Sequence, residues 1–413
     1  MSKYRESILK NGLKIITSTN ESASVAIVSL WVKVGSRHEK KGQSGYTHFL
    51  EHLLCKKISN LYGGDSRKQI GAYTNAFTSR ENTRFVIEVP IKYVNDSIKV
   101  LSSVISDFEI NTENFEINKK IIIEETLGDE NKPIRKFNHL TLKKFFGEHP
   151  LSQDPIGSID IIKSSTVEQL REYQHNYFVP ENSAVIIISN LQHEQILKEV
   201  EKYFKLWANI QTREKEVLVP VHDSNENYLY VPTQTEQTRI ILNFHSPGGL
   251  SPQEEASLVV IGNYLGFGVK SFLSEKLRHA TGLVYTVNTF NVRYTDAGIF
   301  QIQTASSDPI KTVKIIFDLI NNFLQNISPQ EIEETKEKIY NISERFYADP
   351  KNELGFLGEG FILFSKLFEP EDYKKLIKET TFEKITATGK KYLKKENSLL
   401  AIMGPINIKE SIN

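Results

Sequence analysis

Apolar and polar positions follow two different periods along the chain, and each period predicts a different element. Residues 24–34 (SVAIVSLWVKV) form a nearly continuous apolar run that ends at Gly35, as in a buried strand. Residues 83–89 (TRFVIEV) alternate between apolar and polar, which predicts a strand with one face partly exposed. Residues 182–189 repeat the first pattern, so we expect a further strand there.

Helices are predicted where apolar residues recur every three or four positions, often behind a start signal. Residues 111–128 have this helical period. Ser165 and Glu168 have the spacing of a capping box, in which a hydroxyl and a carboxylate each accept a hydrogen bond from a backbone N–H. The sequence Ser-Pro-Gln-Glu, at 251–254 and again at 328–331, combines a cap, a first-turn proline and an N3 glutamate, so each copy predicts a helix start.

The mixture of strands and long helices predicts an α+β fold, with helices packed on one face of mostly antiparallel sheets. A chain of 413 residues is too long for one ordinary domain. The polar stretch 211–227 is the best candidate for a linker, which predicts an N-terminal domain of residues 1–210 and a C-terminal domain of residues 228–413. The two halves share no strong sequence repeat.

The composition is typical of a folded soluble protein, with 39% hydrophobic and 25% charged residues. Lys+Arg and Asp+Glu both number 51, so the net charge favours neither nucleic acid nor an anionic membrane as a partner. Cys55 is the only cysteine, which excludes an intramolecular disulfide and a cysteine-based metal cage. We find neither an apolar N-terminal segment of signal-peptide length nor an apolar run of membrane-spanning length, and therefore expect a soluble, cytoplasmic protein.

The candidate chemistry lies in residues 47–54 (THFLEHLL), where three polar side chains interrupt an apolar helix. His48 and His52 are four positions apart, so a helix presents both imidazoles on one face with Glu51 beside them. Imidazoles suit zinc, and a catalytic zinc usually has three protein ligands and a water. The order H-x-x-E-H is the inverzincin signature, which makes Glu51 the candidate general base. A lone histidine is more often structural, but this pair with its glutamate favours a metal site.

A third ligand must come from elsewhere in the chain. The helix predicted at 111–128 offers Glu124 and Glu125, and adjacent helical positions point about 100° apart, so at most one of them faces a metal. The helical period places Glu125 on the same face as Ile121 and Ile122, where an unpaired carboxylate would be costly. This spacing favours Glu125 as the ligand and Glu124 as a solvated residue.

With these residues in view, the sequence resembles the pitrilysin family of metallopeptidases, in particular the mitochondrial processing peptidase β-like subunits and their bacterial homologues. The similarity covers most of the chain. It is carried by the segments LKNGLKII, VGSRHEKKGQSGYTHFLEHLL, IGAYTNAFTSRENTRF, IIIEETLGDENKP, HPLSQDPIGSIDII, NYFVPENSAVIIIS and SFLSEKLRHATGLVYTV. It implies two similar domains that together form half of a closed chamber.

The resemblance also implies roles for individual residues. In the family, the second glutamate of the segment IIIEETLGDENKP completes the zinc site, which again selects Glu125. An arginine and a tyrosine seven residues apart reach the zinc site from another domain or subunit, and Arg278 and Tyr285 match them. Asn75 and Ala76 match the edge strand that binds an extended peptide.

The surroundings of Arg278 and Tyr285 have a pattern of their own. Gly282 is placed to end the helix that carries Arg278, and residues 283–290 then predict a strand that presents Tyr285. Without the family resemblance, a surface arginine and a packed tyrosine would be the simpler interpretation.

Some positions depart from the family pattern. Asn118 stands where a second acidic residue is usual, residues 56–58 (KKI) replace Lys-Gly-Thr, and Phe272 replaces a common arginine. None of these changes removes a ligand or the base, so they bear on substrate preference more than on activity.

These features together predict a zinc endopeptidase, with one Zn²⁺ per chain, that hydrolyses unfolded peptides or small polypeptides. The family chamber has four domains and this chain supplies two, with the zinc motif and the arginine–tyrosine element on one chain. A homodimer is therefore the economical inference, and a heterodimer with an unlike family member is the alternative. Two other functions stay open, namely a non-catalytic scaffold subunit of a larger complex and a narrow-specificity presequence-processing peptidase.

Overall fold

Two β-sheets organise the part of the chain that the computed structural model describes, which comprises residues 3–61, 70–106, 110–208 and 227–412. The strands of these ranges are β1 (Tyr4–Ile8), β2 (Lys14–Thr19), β3 (Val25–Val32), β4 (Tyr73–Thr78), β5 (Thr83–Pro90), β6 (Ser183–Ser189), β7 (Tyr228–Pro232), β8 (Thr238–Ser246), β9 (Val284–Arg293), β10 (Gly298–Ser306) and β11 (Ser398–Gly404). The strands predicted from the sequence near residues 24–34, 83–89, 182–189 and 283–290 are confirmed as β3, β5, β6 and β9.

The helices of the same ranges are α1 (Tyr46–Leu61), α2 (Val94–Ser106), α3 (Thr112–Glu130), α4 (Pro133–Phe146), α5 (Ile159–Ser164), α6 (Val167–Tyr177), α7 (His193–Phe204), α8 (Pro252–Gly266), a π-helix (Ser274–His279), α9 (Pro309–Asn326), α10 (Pro329–Tyr347), α11 (Pro350–Phe364), α12 (Pro370–Glu379) and α13 (Phe382–Tyr392). The helix predicted at residues 111–128 is α3, and the motif-bearing helix predicted at residues 47–54 is α1. Among the helices of the described ranges, none has both the length and the apolar content needed to cross a bilayer.

The first sheet has six strands in the order β1-β2-β6-β3-β5-β4. Neighbouring strands pair antiparallel except β2 and β6, which pair parallel. β3 and β6 lie at the centre, and they are buried on both faces over almost their whole length, which explains their continuous apolar runs. β4 lies at one edge of the sheet.

The second sheet has five strands in the order β7-β11-β8-β10-β9, again antiparallel except for one pair, β7 with β11. Numbered along the chain from β2 in the first half and from β7 in the second, both sheets have the order first, fifth, second, fourth, third. The parallel pair occupies the same place in both. The two halves therefore share one topology, although their sequences show no strong repeat.

The described residues divide into two compact units. The first lies within Met1–Lys136, Pro150–Val217 and Ala348–Glu369, and the second within Phe137–His149, Leu218–Tyr347 and Pro370–Asn413. This division differs from a single boundary between residues 1–210 and 228–413, because each unit takes a segment from the other half of the sequence. Of the predicted linker 211–227, all but Asn227 lies outside the described residues.

In the first unit, helices cover both faces of the sheet. One face packs on α1, where Phe49 and Leu50 are fully buried. The other face packs on α11, whose Leu357 and Phe361 share a cluster with Trp31 of β3. The predicted α+β class with mostly antiparallel sheets is confirmed, but the helices are not confined to one face, because α11 returns from late in the sequence to cover the second face.

The second unit repeats this layering. The face of the sheet that carries Leu242 and Phe244 belongs to a large apolar cluster with residues of α8, α9 and α10. On the opposite face, Ile241 clusters with Phe137 of α4, because the segment Phe137–His149 from the first half of the sequence belongs to this unit. Each sheet is thus covered on its second face by a helix from the other half of the chain.

One predicted helix start is displaced by one residue. Ser165 and Glu168 do not form the capping box before α6; the Thr166 hydroxyl accepts from Gln169 N and the Gln169 side chain accepts from Thr166 N. The Ser165 hydroxyl instead donates to the carbonyl of Ile162 at 2.7 Å. Ser165 with Glu168 and Thr166 with Gln169 both have capping-box spacing. The second pair forms the box, because the Ser165 hydroxyl is bonded to the preceding helix.

The two Ser-Pro-Gln-Glu copies also differ. At the start of α10, Ser328 and Glu331 form the predicted capping box, with the carboxylate accepting from Ser328 N at 2.8 Å. At the start of α8, Ser251 makes no side-chain capping bond. There the Glu254 carboxylate accepts hydrogen bonds from Lys391 and Tyr392. These tertiary contacts occupy the carboxylate that a capping box would need.

Candidate metal centre

The first turn of α1 is held by a buried carboxylate. Glu39 is 3% exposed, and its two oxygens accept hydrogen bonds from Gly45 N and Thr47 N at 2.8 and 2.9 Å. These are orphan donors that every helix start must satisfy. Burial raises the pKa of Glu39 to about 7, against the lowering effect of these bonds. The result is a fixed helix start directly before His48.

His48 and His52 present their Nε2 atoms to each other, as their spacing on a helix predicts. The two nitrogens are 3.1 Å apart, and the rings meet edge to face with centroids 4.6 Å apart. Glu125 of α3 supplies the third atom, with its Oε2 at 3.4 Å from His52 Nε2 and 3.9 Å from His48 Nε2. Three donor atoms from two helices therefore converge on one point.

The third member of this cluster is Glu125 and not Glu124, which the sequence had left as a preference. The apolar environment predicted for Glu125 is partly wrong, however. Ile122 is fully buried, but Ile121 is 48% exposed and the Glu125 side chain is 46% exposed. Glu125 is therefore distinguished by its place opposite the imidazoles and not by an apolar environment.

Both imidazoles are held in the neutral form that binds metals. Burial lowers the pKa of His48 to about 3, with a further lowering by the nearby His52. Burial also lowers the pKa of His52, although the charge of Glu125 acts in the opposite direction. A neutral imidazole offers a free nitrogen lone pair, which a protonated one does not.

Glu51 lies beside this cluster without being part of it. Its Oε2 is 4.0 Å from His48 Nε2 and accepts a hydrogen bond from the Thr78 hydroxyl at 3.1 Å. Burial raises the pKa of Glu51 to about 7, opposed by the bond from Thr78 and assisted by the charge of Glu125. A carboxylate with a pKa near neutrality suits proton transfer at neutral pH.

The donor set fits zinc. Ligands 2.0–2.1 Å from a tetrahedral ion lie roughly 3.3 Å from one another, and the three separations observed here are 3.1, 3.4 and 3.9 Å. Two imidazoles and one carboxylate, with a fourth position left for water, are a common catalytic zinc set. His48 Nδ1 is buried and finds no hydrogen-bond partner among the described residues, whereas most metal-bound histidines donate from that nitrogen.

Comparison with known proteins agrees with this geometry. Residues 14–154 match the family model described as Insulinase (Peptidase family M16), and residues 164–339 match the one described as Peptidase M16 inactive domain. The chain belongs to the peptidase M16, or pitrilysin, family. The metal cluster lies within the first of the two matched regions.

Individual M16 relatives are similar over 80–98% of the chain. An uncharacterized zinc protease of Rickettsia bellii is 23% identical over 98% of both chains. The uncharacterized zinc protease YmxG of Bacillus subtilis is 26% identical over 80% of this chain and 81% of its own. The crystal structure of a protease from Helicobacter pylori has a TM-score of 0.85 at 20% identity and covers 98% of this chain and 99% of that one, which is a likeness of fold.

The M16 resemblance predicted a peptide-binding role for Asn75 and Ala76, and both lie on the edge strand β4. Asn75 Oδ1 accepts from Ala76 N at 2.9 Å, and Asn75 Nδ2 donates to the Tyr73 hydroxyl. Thr78, the residue that bonds Glu51, ends the same strand. An edge strand has unpaired backbone groups, which is the requirement for adding a peptide as a further strand.

Arg278 and Tyr285 lie together in the second unit. The Arg278 guanidinium is 4.9 Å from the centre of the Tyr285 ring, which is 76% exposed. Arg278 belongs to the π-helix, and Gly282 ends it as predicted, with φ +66° and its N–H bonded to the Arg278 carbonyl at 3.0 Å. Single π-helical turns are frequent at functional sites.

Two residues of the site were not predicted from the sequence. Thr78 orients Glu51, and Glu39 holds the start of α1. Both lie inside segments that resemble the M16 family, but their roles depend on contacts across 27 and 6 residues of chain. No periodicity connects residues at such separations, so only the folded chain reveals them.

Proposed function

We propose that the protein is a zinc metalloendopeptidase that hydrolyses unfolded peptides or small polypeptides. The observation that carries the proposal is the convergence of His48 Nε2, His52 Nε2 and Glu125 Oε2 beside the buried Glu51. The zinc-protease names of M16 relatives that align with 80% and 98% of this chain support it.

His48, His52 and Glu125 would hold the ion, which when bound makes a water acidic enough to be a nucleophile at neutral pH and polarises the substrate carbonyl. Glu51 is the general base of the proposal. Its carboxylate takes a proton from the attacking water and passes it to the nitrogen of the leaving amine. Thr78 donates to one carboxylate oxygen and so keeps the Glu51 side chain in a single orientation.

Tyr285 and Arg278 have the chemistry to stabilise the reacting amide. A phenol hydroxyl donates to an oxyanion, and a guanidinium donates to a substrate carbonyl. We assign these roles from the family resemblance. The Tyr285 ring lies against Arg278 and is largely exposed, which supports binding of a group from outside this unit. Loss of either group would reduce the stabilisation of the transition state without altering metal binding.

The edge position of β4 supports a peptide as the substrate. Main-chain pairing along Asn75 and Ala76 would recognise the backbone of any extended chain, with less demand on its side chains. Most of the backbone of a folded protein is already paired within its own helices and sheets. We therefore propose unfolded substrates with loosely defined cleavage sites, within a chamber completed by a second copy of this chain.

A second candidate is a non-catalytic scaffold subunit. The match of residues 164–339 to a domain described as inactive favours considering it. A narrow presequence-processing peptidase is a third candidate with the same chemistry. Mapping the cuts in peptides of varied sequence separates the last from the first, since a single arginine-directed cut supports processing and scattered cuts support degradation.

The test combines zinc analysis with cleavage of a diverse pool of quenched peptides. We expect one zinc per chain and cleavage for wild type, zinc without cleavage for Glu51→Gln, and loss of both for Glu125→Gln. Glu124→Gln is the matched control, since it removes the adjacent carboxylate and should retain both properties. Wild-type protein that binds zinc but cleaves no peptide would favour the scaffold, and zinc binding by Glu125→Gln equal to wild type would refute the ligand assignment.

A further inference from the structure

The metal ligands come from two different helices, which raises the question of what fixes their separation. His48 and His52 lie near the start of α1, and Glu125 lies in the second half of α3. Phe49 and Phe115 stack with ring centroids 4.9 Å apart and so join the two helices. Phe115, however, is ten residues before Glu125, a distance of about 15 Å along a helix.

A cluster of charges lies at the other end of α3. Asp129 follows Glu125 by four residues and so occupies the same helix face one turn later. Arg135, near the start of α4, donates from Nε to Asp129 Oδ2 and from Nη2 to Asp154 Oδ1, each at 2.9 Å. One guanidinium thus bridges two carboxylates that are 25 positions apart in the sequence.

The second of these carboxylates belongs to a loop that rests on the start of α1. Gly157 packs on Gly45 so closely that a Cβ on Gly157 would lie 2.3 Å from Gly45 Cα, and Gly157 and Gly45 have φ of +84° and +95°. Gln153 Nε2 donates to the carbonyl of Glu39 at 3.0 Å. Within the loop, the Asp154 carboxylate accepts from Ile156 N at 3.2 Å.

We propose that Arg135 is a positioning residue for the metal site. By bridging Asp129 and Asp154, it ties the end of the helix that carries Glu125 to the loop that rests on the start of the helix that carries both imidazoles. The bridge sets the distance between the carboxylate ligand and the imidazole pair. The inference rests on the proposed function, because it presupposes that these three side chains bind zinc.

Lys132 provides an internal comparison. Its Nζ bonds Asp129 Oδ1 at 2.8 Å, but its side chain is 68% exposed and has no second carboxylate partner in the part of the chain that the structure describes. It therefore contributes charge at Asp129 without linking α3 to the loop. A bridge and a simple ion pair can thus be compared at the same aspartate.

The test is a competition titration of zinc against a chelating dye, with urea unfolding of the metal-free protein measured in parallel. We expect Arg135→Met to bind zinc up to about 10-fold more weakly, the lower end of the loss found for groups that hydrogen-bond a metal ligand directly, and Lys132→Met to bind within about twofold of wild type. Arg135→Lys should lie closer to Arg135→Met, because a lysine is a point charge that cannot span both carboxylates. Metal-free Lys132→Met should unfold at nearly the same urea concentration as wild type, since an exposed ion pair stabilises little. Metal-free Arg135→Met and Arg135→Lys break a partly buried bridge and should unfold at lower urea, but both should be fully folded without urea, where the zinc titration is made.

A second variant approaches the bridge from the loop. Asp154→Asn should weaken zinc binding in the same way, and the double variant with Arg135→Met should lose no more affinity than the more affected single variant, because both remove one link. Wild-type zinc affinity in Arg135→Met, or additive losses in the double variant, would overturn the inference alone. Wild-type protein without zinc affinity would overturn the proposed function and this inference together.

Discussion

Three buried glutamates show how differently one residue type can be satisfied. Burial raises the pKa of Glu39, Glu51 and Glu255 to about 7 in each case. Glu39 accepts two backbone hydrogen bonds and Glu51 accepts one from Thr78, whereas neither oxygen of Glu255 has a hydrogen-bond partner among the described residues. Glu255 on α8 is therefore stable in its place mainly as the neutral acid.

Glu255 should make the stability of the protein depend on pH. Its carboxyl loses its proton near pH 4.5 in the unfolded chain and near pH 7 in the folded one, where burial opposes the charge and Arg293 favours it. The stability that comes from the raised pKa of Glu255 is fully present below pH 4.5 and is lost as the pH rises through 7. The free energy of unfolding of Glu255→Gln, measured by urea unfolding, should therefore rise relative to that of wild type by roughly 2 kcal/mol from pH 5 to pH 8.

Glu254 is the control for that measurement because its shift has the opposite sign. Burial raises its pKa, but the bonds from Lys391 and Tyr392 outweigh burial and lower it overall. Glu254→Gln should therefore lose stability relative to wild type above pH 4.5 and recover as the pH falls. Equal pH dependence of the Glu255→Gln variant and wild type would show that Glu255 has an unperturbed pKa in the folded state.

At the scale of elements, α11 shows how a late segment of the chain becomes part of the first unit. Its apolar face packs on the sheet around Trp31, and Glu353 accepts from the Ser18 hydroxyl at 2.8 Å and pairs with Lys3 at 2.6 Å. Lys351 pairs with Glu88 of β5 at 3.0 Å. The helical period of α11 alone reveals an apolar face, but not which sheet that face covers.

Two glycines of α11 test this docking with matched substitutions. A Cβ on Gly358 would lie 2.2–2.4 Å from three atoms of the fully buried Trp31 ring, while a Cβ on Gly355 would meet nothing within 4 Å. Gly358→Ala should lower the free energy of unfolding by about 1–3 kcal/mol through overpacking. Gly355→Ala should raise it by up to about 1 kcal/mol, because alanine favours a helix.

Urea or thermal unfolding of the two variants checks this prediction. Both change one glycine to alanine in the same helix, so they share the gain in helix propensity. If Gly358→Ala were as stable as Gly355→Ala, the contact between α11 and Trp31 would not be as close as described.

At the scale of the molecule, the two halves share the sheet order, the position of the parallel pair and the covering of the second face by an exchanged helix. The first half carries the histidine pair on α1, and the second carries Arg278 and Tyr285. The two halves thus share a topology but carry different parts of the proposed catalytic machinery. This division supports the proposed assembly, in which a second copy completes the chamber.

Mass measurement in solution and zinc removal test that assembly. We expect a species of about twice the chain mass of 47.3 kDa, with one zinc per chain. Removal of zinc with a chelator should lower the thermal midpoint, because a ligand that binds only the folded state stabilises it, and restoring zinc should recover it. A single-chain mass at working concentration would contradict the homodimer, and an unchanged midpoint would contradict a folded-state metal site.

The sequence by itself determined the features that depend on neighbours along the chain. Continuous and alternating apolar runs predicted β3, β5 and β6, and the four-residue spacing of His48 and His52 predicted two imidazoles on one helix face, because the backbone period alone sets both. The tertiary structure decided which glutamate faces the imidazoles, which of two overlapping caps forms before α6, and which sheet α11 covers. Each of these depends on contacts between residues far apart in sequence, and no local period encodes such contacts.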